Sequence, residues 1–303
     1  MTDAEITLRR AGPQDSKPCY RLFMESLVDL TARRGTPWDP DVEDVWSRVE
    51  PIYSLLAEQA TEWWVAEDAA EELVGYARSL ERGGLFELSE LFVRPRSQSA
   101  GVGRRLLEAA FPPGRGDVRA IIATTDVRAL ARYYRAGTVV RFPIAPLSAA
   151  PRLEQTRANA ADDLEPRRAS AADIPTLGQI ERAVLEFDRG HEEMAWLLDQ
   201  REGYLYLRRG RPVGFGFVGH TGSGPAAALD PSDQPSILLH LEGRAHGLGR
   251  ESLAFEVPMV NEVAMRHLLG RGYQMDSSLS LLLSSRPFGK FDRFISFAPA
   301  FML

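Results

Sequence analysis

The chain has 303 residues, 44% hydrophobic and 26% charged, with a formal net charge of -6 from 42 acidic and 36 basic residues. Two domains of roughly 150 residues are therefore expected, each with apolar residues enough for a core, while global disorder and a basic nucleic-acid binder are disfavoured. One cysteine, Cys19, can form neither an internal disulfide nor a thiolate metal cluster, and neither a membrane-length apolar run nor a basic-then-apolar leader is present, so a cytoplasmic protein without nucleic-acid or membrane partners is expected.

Taken in order, Leu8 to Asp15 reads as a short strand entering a helix, and Pro166 to Asp173 repeats it 158 residues later. Trp63-Trp64-Val65-Ala66 and Leu73-Val74-Gly75-Tyr76 read as a hairpin, echoed by Tyr204-Leu205-Tyr206-Leu207 and Pro212-Val213-Gly214-Phe215. Asp126, Ala129 and Gly137 recur as Asn261, Ala264 and Gly272, each displaced by 135 residues. Each half thus reads strand, helix, helix, hairpin, strand, helix, strand, helix, strand. That is a mixed α/β architecture in two tandem domains, each a central sheet flanked by helices. Between them Ala, Pro, Asn and Asp accumulate without periodicity, which sets a first domain at 1–147, a linker at 148–163 and a second domain at 164–303.

Glu87 to Pro95 reads as a strand, Arg96 to Gly103 as a turn and Arg104 to Ala110 as a helix. Pro95 stops the strand, while Gly101 and Gly103 remove side chains where the helix starts. The first-turn N–H groups there lack intrahelical partners, and the helix dipole adds roughly half a positive charge, so the turn suits a pyrophosphate. Arg104 and Arg105 add full charges. The histidines, among them His191, His220 and His240, show no metal-ligand spacing, and no metal is expected.

Gln98-x-x-Gly101-x-Gly103 after Val93-x-Pro95 resembles the acyl-CoA signature of the GNAT N-acetyltransferases. Asp126-x-x-Ala129-x-x-x-Tyr133-x-x-x-Gly137 is similar to the helix that follows in that family, with Asp126 where Asn is usual and Thr138 where an aromatic is usual. Either Asp or Asn can cap a helix. The likeness covers residues 5 to 145 and implies acetyl-CoA as cosubstrate and an amine as acceptor, a small molecule being the expected class. A protein N-terminus or lysine acetyltransferase, and a non-catalytic acyl-CoA-binding or regulatory protein, are the alternatives.

By position, the resemblance gives the pantetheine arm to the backbone of Leu91, Phe92 and Val93, with the Leu91 N–H on the thioester carbonyl. It gives the pyrophosphate to Gln98, Ser99, Ala100, Gly101, Val102, Gly103 and Arg104, and counts Asp126 with the cofactor site. An amine of pKa about 10 must lose a proton before attack. Glu87, four residues before Leu91, is the first choice of base. Glu90 is the rival, although strand alternation turns it to the face opposite Leu91. Both are otherwise solvated strand residues. Tyr133 stands where the family protonates the departing thiolate, and is otherwise core packing. Trp38, Trp46, Trp63 and Trp64 fall near the region that borders the acceptor in the family, Trp38 being the one whose loop suits that role.

Arg244-Ala245-His246-Gly247-Leu248-Gly249 also spells the signature, but only 12 residues separate Gly249 from Asn261, against 23 from Gly103 to Asp126. Alignment on Pro231 puts Ile237 and Leu239 where Gly101 and Gly103 belong, and Leu268 in place of Tyr133. The second domain is therefore expected to bind no CoA and to complete the acceptor pocket or an oligomer interface.

Overall fold

The computed structural model describes residues 6–33, 35–97, 101–153 and 163–298. In these residues the element order repeats. The first pass runs β1 (Thr7–Arg10), α1 (Ser16–Arg33), α2 (Val42–Gln59), β2 (Ala60–Glu67), β3 (Leu73–Arg82), β4 (Leu85–Val93), α3 (Val102–Ala110), β5 (Val118–Thr124), α4 (Val127–Arg135) and β6 (Val139–Ala149). The second runs β7 (Leu164–Arg168), α5 (Ile174–Leu185), α6 (Gly190–Gln200), β8 (Glu202–Arg208), β9 (Arg211–Val218), β10 (Ser223–Ala228), α7 (Gln234–Gly247), β11 (Leu253–Pro258) and α8 (Glu262–Gly270). Short β12 (Gln274–Met275), β13 (Ser280–Ser284) and β14 (Phe294–Ile295) close the chain. The fold is a mixed α/β tandem.

Local chemistry explains why the passes match. After β1 the Asp15 carboxylate accepts from the Gly12 N–H and from both Nη atoms of Arg9. After β7 Asp173 accepts from the Ser170 N–H and from both Nη atoms of Arg167. Asp126 caps α4 by accepting from the N–H groups of Arg128 and Ala129, and Asn261 caps α8 by accepting from that of Ala264. Both helices end in a glycine with a left-handed backbone, Gly137 at φ 86° and Gly272 at φ 87°, where a Cβ would be strained.

The compact units divide elsewhere than the repeats do: one comprises residues up to Glu81 with Leu85–Arg119, the other Arg82–Gly84 with the chain from Ala120 onward. In the first unit the strands run β1-β2-β3-β4, with β1–β2 and β2–β3 antiparallel. One core cluster there joins Cys19 and Leu22 of α1 to Trp63, Val65 and Tyr76 of the sheet.

In the second unit, one run of strands is β5-β13-β6-β11, with β12 also on β6, and a separate sheet runs β14-β10-β9-β8-β7. β13 lies between β5 and β6, Leu282 standing opposite both Ile122 and Phe142. β6, the last strand of the first pass, pairs with β11, the fifth long strand of the second, Ala145 opposite Val257. Ala145 and Leu147 of β6 accordingly pack in one core with Ile237, Leu241, Phe255 and Leu268. β6 also continues through Ser148 and Ala149, opposite Ala254 and Leu253, so the first two residues of the expected linker are strand. Backbone pairing with a distant segment overrides their polar, small-residue composition. Residues 154–162 of that linker lie outside the described residues. No helix among the described residues is long and apolar enough to cross a membrane.

Candidate active site

The strand, turn and helix expected at the phosphate site are present in the first unit: β4 ends at Val93, a 3-10 turn spans Pro95–Ser97 and α3 begins at Val102. Gln98, Ser99 and Ala100 lie outside the described residues. Gly101 is the residue before α3, at φ 74°, and among the described residues no atom stands within 4 Å of where its Cβ would be. That open backbone faces the helix N-terminus, where Val102 and Gly103 are both buried. Of the two arginines that follow, Arg105 donates to the Ile6 carbonyl at 2.8 Å, whereas Arg104 is 73% exposed and 3.9 Å from Glu108. Arg104 is thus the cation open to an anionic ligand.

Leu91, Phe92 and Val93 are half-buried at the end of β4. The Phe92 ring packs on Phe23 of α1 and on Tyr76 of β3, at 5.0 and 5.8 Å between centroids. A Cβ at Gly75 would lie 3.1 Å from the Phe92 carbonyl and 2.9 Å from Leu106 of α3, so glycine lets β3, β4 and α3 approach closely.

The two candidate bases differ. Glu87 is fully buried in β4. Glu90, also buried, accepts a 2.8 Å bond from the Tyr76 hydroxyl on Oε1 and sets Oε2 3.2 Å from Nε of Arg78. Rather than lying open as a solvated strand residue, it belongs to a sealed polar cluster. Above Arg78 lie Trp63 of β2, 4.1 Å from ring centre to guanidinium carbon, and Tyr53 of α2, at 5.7 Å. Burial raises the Tyr53 and Tyr76 hydroxyls well above the usual phenol range, with Glu90 adding to the rise. It raises the Cys19 thiol as well, so Cys19 is an inert core residue. Sequence reasoning missed Arg78. The signal was there, since Arg78 interrupts an apolar strand on the face shared by Tyr76 and Leu80.

In the second unit, Asp126 serves as the cap of α4; burial pushes its carboxyl up, but the side chain and N–H of Arg128 outweigh that and hold it below the usual range. Tyr133 is buried in α4, and burial pushes its hydroxyl up to about 12. Thr138, where the family has an aromatic, is itself buried and donates its hydroxyl to the Tyr133 carbonyl at 2.9 Å. It fastens the helix end instead of filling space.

The corresponding turn of the second pass is built differently. A 3-10 turn at Pro231–Asp233 runs straight into α7 at Gln234, Ile237 is fully buried and Leu239 follows in the same helix. Arg244 to Gly249 lies at the C-terminal end of α7, where the dipole is negative. Leu268 is buried in α8. His240 sits on α7 with its Nδ1 3.0 Å from the Tyr206 hydroxyl, and burial, then Arg244, lowers it to about 4. Among the described residues no three His, Cys, Asp or Glu side chains are grouped to hold a metal.

A repeated mixed α/β order, with a left-handed glycine at a helix N-terminus after its fourth strand, defines a tandem protein of the GNAT fold. Residues 59–137 match the family model for an acetyltransferase (GNAT) domain. No curated protein sequence matches it. Among solved structures, a Pyrococcus horikoshii protein assigned to the acetyltransferases is similar over 95% of this chain and 92% of its own, with TM-score 0.70 and 17% identity. A GCN5-related N-acetyltransferase from Sphaerobacter thermophilus is similar over 93% and 96%, with TM-score 0.59 and 17% identity. A tandem GNAT protein from the clavulanic acid biosynthesis pathway is similar over 93% and 99%, with TM-score 0.53 and 13% identity. At such identities the likeness is one of fold.

Proposed function

We propose that the protein transfers an acetyl group from acetyl-CoA to an amine, using the chemistry of its first repeat. The observation that carries this reading is Gly101: a left-handed residue with open space where a side chain would be, immediately before the buried start of α3. A helix N-terminus with that approach left clear suits the CoA pyrophosphate, and Arg104 supplies an exposed charge beside it.

In the reaction the amine nitrogen attacks the thioester carbonyl carbon. The carbonyl electrons move to oxygen, the oxyanion collapses, the C–S bond breaks, and the thiolate leaves with a proton. Glu87 takes the proton lost by the amine. The Leu91 N–H stabilises the oxyanion, a contribution typically about 3 to 4 kcal/mol. The resemblance gives Tyr133 the return of a proton to sulfur; its hydroxyl, pushed up by burial to about 12, is in its acid form at neutral pH. The second repeat binds no acyl-CoA in this reading, because Ile237, Leu239 and Leu268 stand where the cradle and the acid would be.

Release of free thiol from acetyl-CoA, screened across classes of amine with the acetylated product identified by mass, tests the proposal. One class should give thiol and product in equal amounts. Saturable acetyl-CoA binding with no turnover of any amine would instead make the protein a non-catalytic acyl-CoA binder.

A further inference from the structure

Arg78 is the largest side chain among the fully buried described residues. The Trp63 and Tyr53 rings lie close to the guanidinium, 4.1 and 5.7 Å from its carbon. A guanidinium carries five N–H donors and stays charged in proteins. Its Nε lies 3.2 Å from Glu90 Oε2, but Nη1 and Nη2 have no hydrogen-bond acceptor among the described residues. Glu90 Oε1 is taken by Tyr76, and Oε2 receives no hydrogen bond there. Buried donors of a charged group left without acceptors are among the costliest arrangements a folded chain can hold. The site therefore calls for oxygen atoms that the described residues do not supply.

We propose that Nη1 and Nη2 of Arg78 hold a carboxylate of the acceptor, so that the amine acetylated by this protein belongs to an amino acid. The inference rests on the acetyl-transfer reading and narrows its substrate class. A guanidinium fork matches a carboxylate in bidentate geometry. Charge balance points the same way: Arg78 and Glu90 together are neutral, and a zwitterionic amino acid adds no net charge. A phosphate dianion would put two further negative charges beside Glu90 in a sealed site. With Arg78 fully covered, the acceptor enters by displacing part of the aromatic cover.

The test measures thiol release with α-, β- and γ-amino acids, each beside the amine that lacks only the carboxylate. At least one amino acid should exceed its bare amine by about 100-fold in kcat/KM, as expected where a polar site loses its partner. Arg78→Met should bring that amino acid down to the level of the amine, with the calorimetric affinity for acetyl-CoA unchanged. If Arg78→Met does not fold, Arg78→Lys, which keeps the charge but not the fork, should reduce the preference about tenfold. Equal rates within every pair, or a preference that is undiminished in the variant that folds, would overturn the proposal and leave Arg78 to buried water. If no compound releases thiol, the acetyl-transfer reading fails separately. Calorimetric titration of the same pairs into the acetyl-CoA-loaded protein then decides: binding of a carboxylate-bearing member alone supports the Arg78 site, and no difference within the pairs overturns it.

Discussion

Glu90 and Arg78 form an ion pair, 3.2 Å between Oε2 and Nε, in which both side chains are sealed from solvent. Removing one charge of such a pair leaves the other buried and uncompensated, which typically costs about 3 to 5 kcal/mol. Glu90→Gln should therefore destabilise the protein by that order in denaturant unfolding while keeping a partner for Tyr76. A loss under about 1 kcal/mol would show that solvent reaches Arg78. Glu87→Gln should lower activity most at low pH, where the acceptor is fully protonated. If, at equal folded fraction, Glu90→Gln lowers turnover more than Glu87→Gln, the base is Glu90.

Gly103→Trp should abolish acetyl-CoA binding, measured per folded molecule because Gly103 is buried, since the ring fills the turn at the start of α3. In the wild type, calorimetry should give one acyl-CoA per chain. Saturable binding left in the variant, or a stoichiometry near two, would place a second site in the repeat that carries Ile237 and Leu268.

Tyr133→Phe should lower kcat without changing acetyl-CoA affinity, because the hydroxyl is needed only as the thiolate leaves. With the hydroxyl pushed up to about 12, the wild-type rate should show no alkaline fall from this group below about pH 11. An unchanged kcat in the variant would assign Tyr133 to packing alone.

Glu256 of β11 gives a pH dependence of stability rather than of catalysis. Burial, with Asp276 adding to it, raises its carboxyl to about 7. Between about pH 4 and pH 7 the folded protein keeps a proton that the unfolded chain has released, so stability falls as pH rises through that window and stays lower above it. Glu256→Gln should match the wild type near pH 4 and exceed it at pH 8 by about 1 to 2 kcal/mol, a figure reduced because the side chain is partly exposed. Thermal unfolding across pH measures this, and parallel curves for the two proteins would show that Glu256 stays charged in the fold.

What was legible in the sequence is what neighbouring residues decide among themselves. Asp126 and Asn261 announce helix starts, Gly137 and Gly272 announce helix ends, and Gly101 marks a turn that only a residue without Cβ adopts readily, because capping and left-handed backbone are properties of a few adjacent atoms. The same locality made the false match at Arg244 recognisable, since a helix fixes its own ends.

The tertiary structure alone decided which strands are neighbours and which buried charges meet. Placing β13 between β5 and β6, with Leu282 opposite Phe142, and laying β6 against β11 joins segments far apart in the chain, and backbone ladders accept any strand of suitable length and face. Arg78 and Glu90 stand on different strands, and neither by itself shows that it meets the other. Only the packing of β3 and β4 under Trp63 and Tyr53 shuts out the water that would otherwise serve their donors and acceptors, and that exclusion is what gives the pair its chemical meaning.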